Sequence, residues 1–150
     1  MLLITTQWIL PDLQVFFDVI IIDAPCSGSG LFRRDAEAVK EWSANNVALC
    51  SQRQQRIVAD VFPALKEGGI IIYSTCSFSP QEDEGIGDWM VEEFGLQSLQ
   101  LNVDPDWNII ESNTTKGNQG YRFWPYLVKG EGFFIWRLKR TQLKKMRRLK

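Results

Sequence analysis

Two apolar runs, each followed within a few residues by a cysteine, constrain this chain more than anything else in it. FDVIIID (17–23) leads into APCSGSG, and GGIIIYS (68–74) leads into TCSFSP. Both runs are short, nearly continuous and rich in β-branched residues, which suits buried central strands of a parallel sheet. The expected strands are 18–22 and 70–74. Between them FRRDAEAVKEWSANNVALCSQRQQRIVADVFPALKEGG is long and helical in pattern. Ser43 suits an N-cap, and Val47, Cys50, Gln54, Ile57, Val58, Val61, Phe62 and Leu65 recur along one face. Gly68 and Gly69 are the expected helix stop.

After the second strand, Ser79-Pro80-Gln81-Glu82 reads as a capping box with proline at the first helical position. A helix is expected from there to about Phe94, stopped by Gly95. LQSLQL (96–101) alternates weakly and could form a strand. Residues 102–120 are polar and turn-rich and read as loop, and GFFIWRL (132–138) reads as the last strand. The order is strand, helix, strand, helix, strand, loop, strand. That predicts an α/β sheet, parallel in its first part, with an antiparallel pair at the end.

A chain of 150 residues with 45% hydrophobic and 12% aromatic content can bury one ordinary core. No apolar run approaches the roughly 18 to 20 residues that span a membrane. MLLITTQWIL has neither a basic n-region nor a small-residue cleavage site, so a cytoplasmic protein is expected. Cys26, Cys50 and Cys76 are odd in number and form no CxxC pair, against both a disulfide framework and a structural zinc site. The chain has no histidine, which excludes a Ser-His-Asp triad, a Cys-His dyad and histidine metal sites within it. A nucleophilic cysteine here must be activated some other way. Residues 137–150 hold 8 of the 17 basic residues and no acidic one, leaving 9 basic against 18 acidic residues over 1–136. That run reads first as a solvated tail or linker; a nucleic-acid-binding arm is the sharper reading, and the two are compatible.

In open α/β sheets, ligands bind at the carboxyl ends of the strands. Cys26, three residues after Asp23, and Cys76 both occupy such ends. If the two strands are neighbours, about 4.8 Å apart, both thiols can face one pocket. Gly28 and Gly30 would allow close approach of backbone to a ligand. The GSG loop does not match G-x-G-x-x-G, so no dinucleotide fingerprint is read. Cys50 lies on the apolar helix face and reads as core. Arg33 and Arg34 read as a solvated pair or as phosphate contacts. Trp124 and Phe123 read as packing rather than a base-stacking platform.

DAPCSGSG with a later STCS resembles the Nop/Sun (Fmu) family of RNA cytosine-C5 methyltransferases. FRRDAEAVKEWS and GYRFWPYLVKGEGFF narrow the resemblance to bacterial RsmF-type 16S rRNA methyltransferases. It covers roughly residues 17–138. The resemblance implies a Rossmann-like fold, S-adenosyl-L-methionine as cofactor, and small-subunit rRNA as partner, with no membrane and no metal. It implies methyl transfer to C5 of a cytosine through a cysteine–C6 adduct. Cys76 would be the nucleophile, and Cys26 would assist loss of the C5 proton and breakdown of the adduct. Asp23 would touch the methionine moiety of the cofactor or the cytosine edge, and Pro25 would shape the substrate-binding loop. Thiolate suits addition at C6, its pKa could be lowered by the helix expected at Pro80, and the base would have to leave its stack. DNA cytosine methyltransferases attack from a PC dipeptide, which would make Cys26 the nucleophile. The STCS motif favours Cys76.

The sequence also departs from the family pattern. Nothing like the glycine-rich CAAPGGKT cofactor loop occurs, and Trp8 stands where LLITTQW should offer an acidic residue, with Asp12 a weak substitute. The expectation is therefore the second half of a catalytic domain over 1–138, followed by a basic tail or linker over 139–150. Such a half should pack on another chain, as a homodimer or against a missing N-terminal half. Alone it should be inactive or weakly active. The alternative is a non-catalytic RNA-binding or assembly remnant.

Overall fold

The computed structural model describes residues 2–4 and 15–141. The expectations for Trp8, Asp12 and most of the basic tail lie outside the described residues. Ten elements follow in chain order: β1 (Leu2–Ile4), β2 (Phe17–Asp23), α1 (Ala36–Glu41), α2 (Ala44–Val61), β3 (Leu65–Thr75), α3 (Glu84–Phe94), β4 (Leu96–Ser98), β5 (Ile110–Asn113), β6 (Gln119–Phe123) and β7 (Phe133–Arg140). They form one mixed sheet of order β1-β2-β3-β7-β6-β5, with β4 also pairing β7. The ladders β1–β2 and β2–β3 are parallel, with Ile21 opposite Ile72 and Asp23 opposite Ser74. β7 runs antiparallel to both β3 and β6. The α/β class and the change from parallel to antiparallel are as the sequence predicts.

Burial alternates along the central strands. Ile20, Ile22, Ile71, Tyr73, Phe134, Trp136 and Leu138 are fully buried. They pack with Ile57, Val58 and Val61 of α2 and Ile86 and Met90 of α3. Residues of the other face, such as Ile21 and Ile72, are half-buried. The apolar runs are thus covered fully on one face only among the described residues. That face is expensive to expose, at roughly 25 cal/mol per Å² of apolar surface, and it fixes the register that aligns the ends of β2 and β3. No helix among the described residues is long and apolar enough to cross a membrane.

Four expectations are corrected. The long helical segment is two helices, capped by Asp35 and by Ser43, whose Oγ accepts from the Asn46 amide at 3.1 Å. α2 ends at Val61 rather than at the glycine pair, because Pro63 cannot donate the next helical hydrogen bond. Gly68, with φ +73°, makes an irregularity inside β3 instead of a helix cap. Ser79–Glu82 forms a turn, with the Glu82 amide donating to the Ser79 carbonyl at 3.0 Å, and α3 begins only at Glu84. Part of 102–120 is not loop: Ile110–Asn113 and Gln119–Phe123 form a hairpin. The stop at Gly95 holds, with φ +64°, and 96–98 is a strand.

Candidate active site

The loops leaving β2 and β3 lie side by side, so Cys26 and Cys76 meet. Their Sγ atoms are 3.0 Å apart, and both thiols are half-buried. With Asp23, Pro25, Arg33, Arg34 and the Gly130–Phe133 segment they line an open cleft of about 960 Å³. The shared pocket expected from the sequence is therefore present. Asp23 is exposed at its rim and accepts from Ser74 Oγ at 3.1 Å. The Pro25 carbonyl accepts from Gln54 Nε2 at 3.0 Å.

The two thiols are not equivalent. The hydrogen bond shared with Cys76 pushes the Cys26 pKa up, and burial and the neighbouring Cys76 charge add to it. The Cys76 pKa is lowered, first by the hydrogen bond it shares with Cys26; burial and the carboxylates of Asp23 and Glu82 oppose this. Of the two thiols, Cys76 is therefore the readier to lose its proton and Cys26 the readier to keep it. A helix N-terminus at Pro80 is not available for this, since α3 starts further on.

Close backbone contact holds the loops together. The Gly30 amide donates to the Cys76 carbonyl at 2.6 Å. A Cβ on Gly30 would stand 2.3 Å from that carbonyl oxygen, so only glycine fits. The close approach expected of Gly30 is thus made to the second cysteine loop. Ser29 Oγ accepts from the Phe78 amide at 2.7 Å, and Thr75 Oγ1 accepts from the Ser77 amide at 3.1 Å. The Ser29 bond ties the loop after β2 to the loop after β3, and the Thr75 bond tightens the turn that follows Cys76.

The sequence reading also missed Glu82 and Gln54, both fully buried behind the thiols. A signal was present: Gln54 interrupts an otherwise apolar helix face. Ser51 Oγ and Tyr73 Oη anchor the turn carrying Glu82 by donating to the Gln81 and Glu82 carbonyls at 3.1 and 2.8 Å. Cys50 is half-buried rather than core, and burial raises its pKa. Arg33 donates to the carbonyls of Pro125, at 3.0 Å, and Gly130; Arg34 pairs with Glu131 at 2.6 Å. Both arginines remain exposed at the cleft. Trp124 stacks between Phe78 and Tyr126, with centroids 5.1 and 5.9 Å away, and Phe123 packs edge-on against Phe133.

Known proteins share sequence and fold with this chain. The family profile described as 16S rRNA methyltransferase RsmB/F matches residues 4–139. The chain is 35% identical over 127 residues to ribosomal RNA small subunit methyltransferase F of Shewanella sp. (strain MR-4), covering 84% of this chain and 26% of that protein. It is 38% identical over 135 residues to the protein of that name from Aeromonas salmonicida (strain A449), covering 89% and 27%. The chain thus spans about a quarter of the length of these curated relatives. Among solved structures, NSun6 from Pyrococcus horikoshii with SFG superimposes with a TM-score of 0.72 at 27% identity, covering 89% of this chain and 33% of that one. A methyltransferase homolog protein from Pyrococcus horikoshii gives 0.63 at 30% identity, covering 84% and 40%. With the strand-end cysteines in one cleft and the family profile running through both, the chain belongs to the RsmB/F family of 16S rRNA methyltransferases.

Proposed function

We propose that this segment carries the chemistry of an S-adenosylmethionine-dependent enzyme that methylates C5 of a cytosine in small-subunit rRNA. The observation that carries the reading is the 3.0 Å approach of two inequivalent thiols at the mouth of one cleft. Cys76 is the nucleophile. Its thiolate adds to C6 of a cytosine that has left its stack, and electron density moves to C5. Before attack, the Cys76 charge and the shared hydrogen bond keep Cys26 protonated. Once Cys76 sulfur is bonded to carbon, both influences vanish and the Cys26 pKa falls. With C5 then carrying the methyl group, Cys26 can release its own proton to water in the open cleft and, as thiolate, take the C5 proton; the electrons of that C–H bond restore the C5=C6 double bond and expel Cys76 as thiolate.

The relative from Pyrococcus horikoshii was solved with SFG, an analogue of S-adenosylmethionine. The donor set of this chain fits one end of that cofactor. Asp23, an exposed carboxylate at the cleft rim, suits an ammonium group such as that of the methionine moiety. When bound, the cofactor supplies an electrophilic methyl group. Pro25 keeps the loop between Asp23 and Cys26 in place through its carbonyl. Arg33 and Arg34, exposed on the same cleft, suit the phosphates of the RNA on either side of the target base.

The test uses the intact gene product with small-subunit rRNA. Cys76→Ala should abolish methylation and form no adduct. Cys26→Ala should accumulate a covalent protein–RNA adduct that survives denaturing electrophoresis. The reverse pattern would assign the attack to Cys26 and overturn the reading.

A further inference from the structure

Behind the two thiols lies a carboxylate that the reaction described above does not use. Glu82 is 0% exposed. Among the described residues no lysine or arginine pairs with it. A buried carboxylate without a cation is costly unless hydrogen bonds replace its water. Here four donors do so. Oε2 accepts from Ser27 Oγ at 2.5 Å and from Ser77 Oγ at 2.6 Å. Oε1 accepts from the Ser27 amide at 2.8 Å and from Gln54 Nε2 at 3.3 Å.

The identity of these donors gives the arrangement its meaning. Ser27 directly follows Cys26, and Ser77 directly follows Cys76. One carboxylate oxygen therefore holds the residue after each cysteine. Gln54 also donates to the carbonyl of Pro25, the residue before Cys26, so the Cys26 loop is gripped on both sides. An apolar residue at 82 would fill the space but could not fix two loops from different strands against each other. We propose that Glu82 is a positioning residue that sets the separation of Cys26 and Cys76, and so keeps Cys26 in place to complete turnover. The proposal rests on the two-cysteine mechanism for its catalytic consequence. Its geometric content stands without it.

Two measurements on the intact gene product test it, with Glu82→Ala and the near-isosteric Glu82→Gln. The first is the equilibrium of the Cys26–Cys76 pair in a glutathione buffer, resolved by peptide mass mapping. There the two thiols are oxidised to a disulfide as glutathione disulfide is reduced to two thiols, and the effective concentration reads how often the sulfurs meet. Glu82→Ala should lower it by about tenfold or more, a range typical of lost preorganisation. Glu82→Gln keeps the shape and an acceptor oxygen and should recover most of it. The second is covalent RNA adduct. Glu82→Ala should accumulate it as Cys26→Ala does, because Cys76 still attacks while Cys26 is out of place. If Glu82→Ala does not fold, the Gln variant carries the test: a measurable fall in effective concentration with some adduct is expected. An unchanged effective concentration with adduct at the wild-type level overturns the inference, even if melting temperature falls. If Cys26→Ala itself gives no adduct, the mechanism fails, and the glutathione equilibrium still decides the role of Glu82.

Discussion

Two sulfur atoms 3.0 Å apart cannot both be ionised at little cost, so the pair gives up its second proton far less readily than its first. Cys76 is the member that gives up the first more readily, because the hydrogen bond shared with Cys26 lowers its pKa. Alkylation by iodoacetamide near neutral pH should therefore label Cys76 well before Cys26, read by peptide mass mapping. Removing the donor with Cys26→Ala should raise the Cys76 pKa and move its alkylation profile to higher pH. An unmoved profile would mean that the shared hydrogen bond does not set the thiolate. The placement of Cys26, Cys76, Asp23 and Pro25 along one cleft was legible in the sequence because motif and strand end coincide there. Glu82 was not, because Ser-Pro-Gln-Glu satisfies a helix-cap pattern as well as a turn. Spacing says that a glutamate follows a serine by three; it does not say which donors reach the carboxylate first. In the fold Ser27 and Ser77 take it, and the cap is forgone.

Among the elements, α3 shows how tightly the frame behind the cleft is packed. Gly87 faces the sheet, and a Cβ there would lie 2.2 Å from the Trp136 ring of β7. Gly87→Ala must push the helix off the sheet or turn a fully buried tryptophan. It should cost about 1 to 3 kcal/mol, the usual range for overpacking, in a urea unfolding titration. A loss below a few tenths would show that the contact relaxes freely. The strands β2 and β3 and the helix α2 were readable from apolar periodicity, since α2 lays Val47, Ile57, Val58 and Val61 on one face. The end of α2 was misjudged because periodicity continues through Phe62 and Leu65, while Pro63 ends the hydrogen bonding. β5 was hidden for a different reason. IESN carries little apolar signal, its residues are largely exposed, and pairing with β6 holds it in place.

At the scale of the molecule, a buried ionic cluster joins α3 to the β5–β6 hairpin. Arg122 forks onto Glu84, with Nε at 2.8 Å and Nη2 at 2.5 Å. Burial pushes Glu84 up, but the bonds from Arg122 and Ser112 outweigh it and hold its carboxyl below the ordinary value. Asp83 is placed less favourably. It accepts from Thr75 Oγ1 at 2.5 Å, and Arg122 Nη1 lies 3.0 Å from an Oδ2 that receives no well-aligned hydrogen bond. Burial pushes its pKa from 3.8 up to about 8. The folded state thus keeps a proton that the unfolded chain has released. Its contribution to stability is complete below about pH 4 and is lost as pH rises through about 8. The comparison of wild type with Asp83→Asn isolates the carboxyl. Urea midpoints from mildly acidic to mildly alkaline pH should fall more steeply in the wild type, and equal slopes would refute the assignment.

The direction of β7 has a consequence for how charge is distributed around the chemistry. Phe134 pairs with Thr75 beside the cysteines, whereas Lys139 pairs with Ile70 at the other end of the sheet. Arg140 is there too, donating to the Leu65 carbonyl and lying 4.6 Å over the Phe62 ring. The basic run therefore sets out from the pole of the sheet opposite the thiols, a strand length of roughly 25 Å away. A change of charge at Lys139 is therefore a strand length away from the sulfur geometry and should leave it as it is.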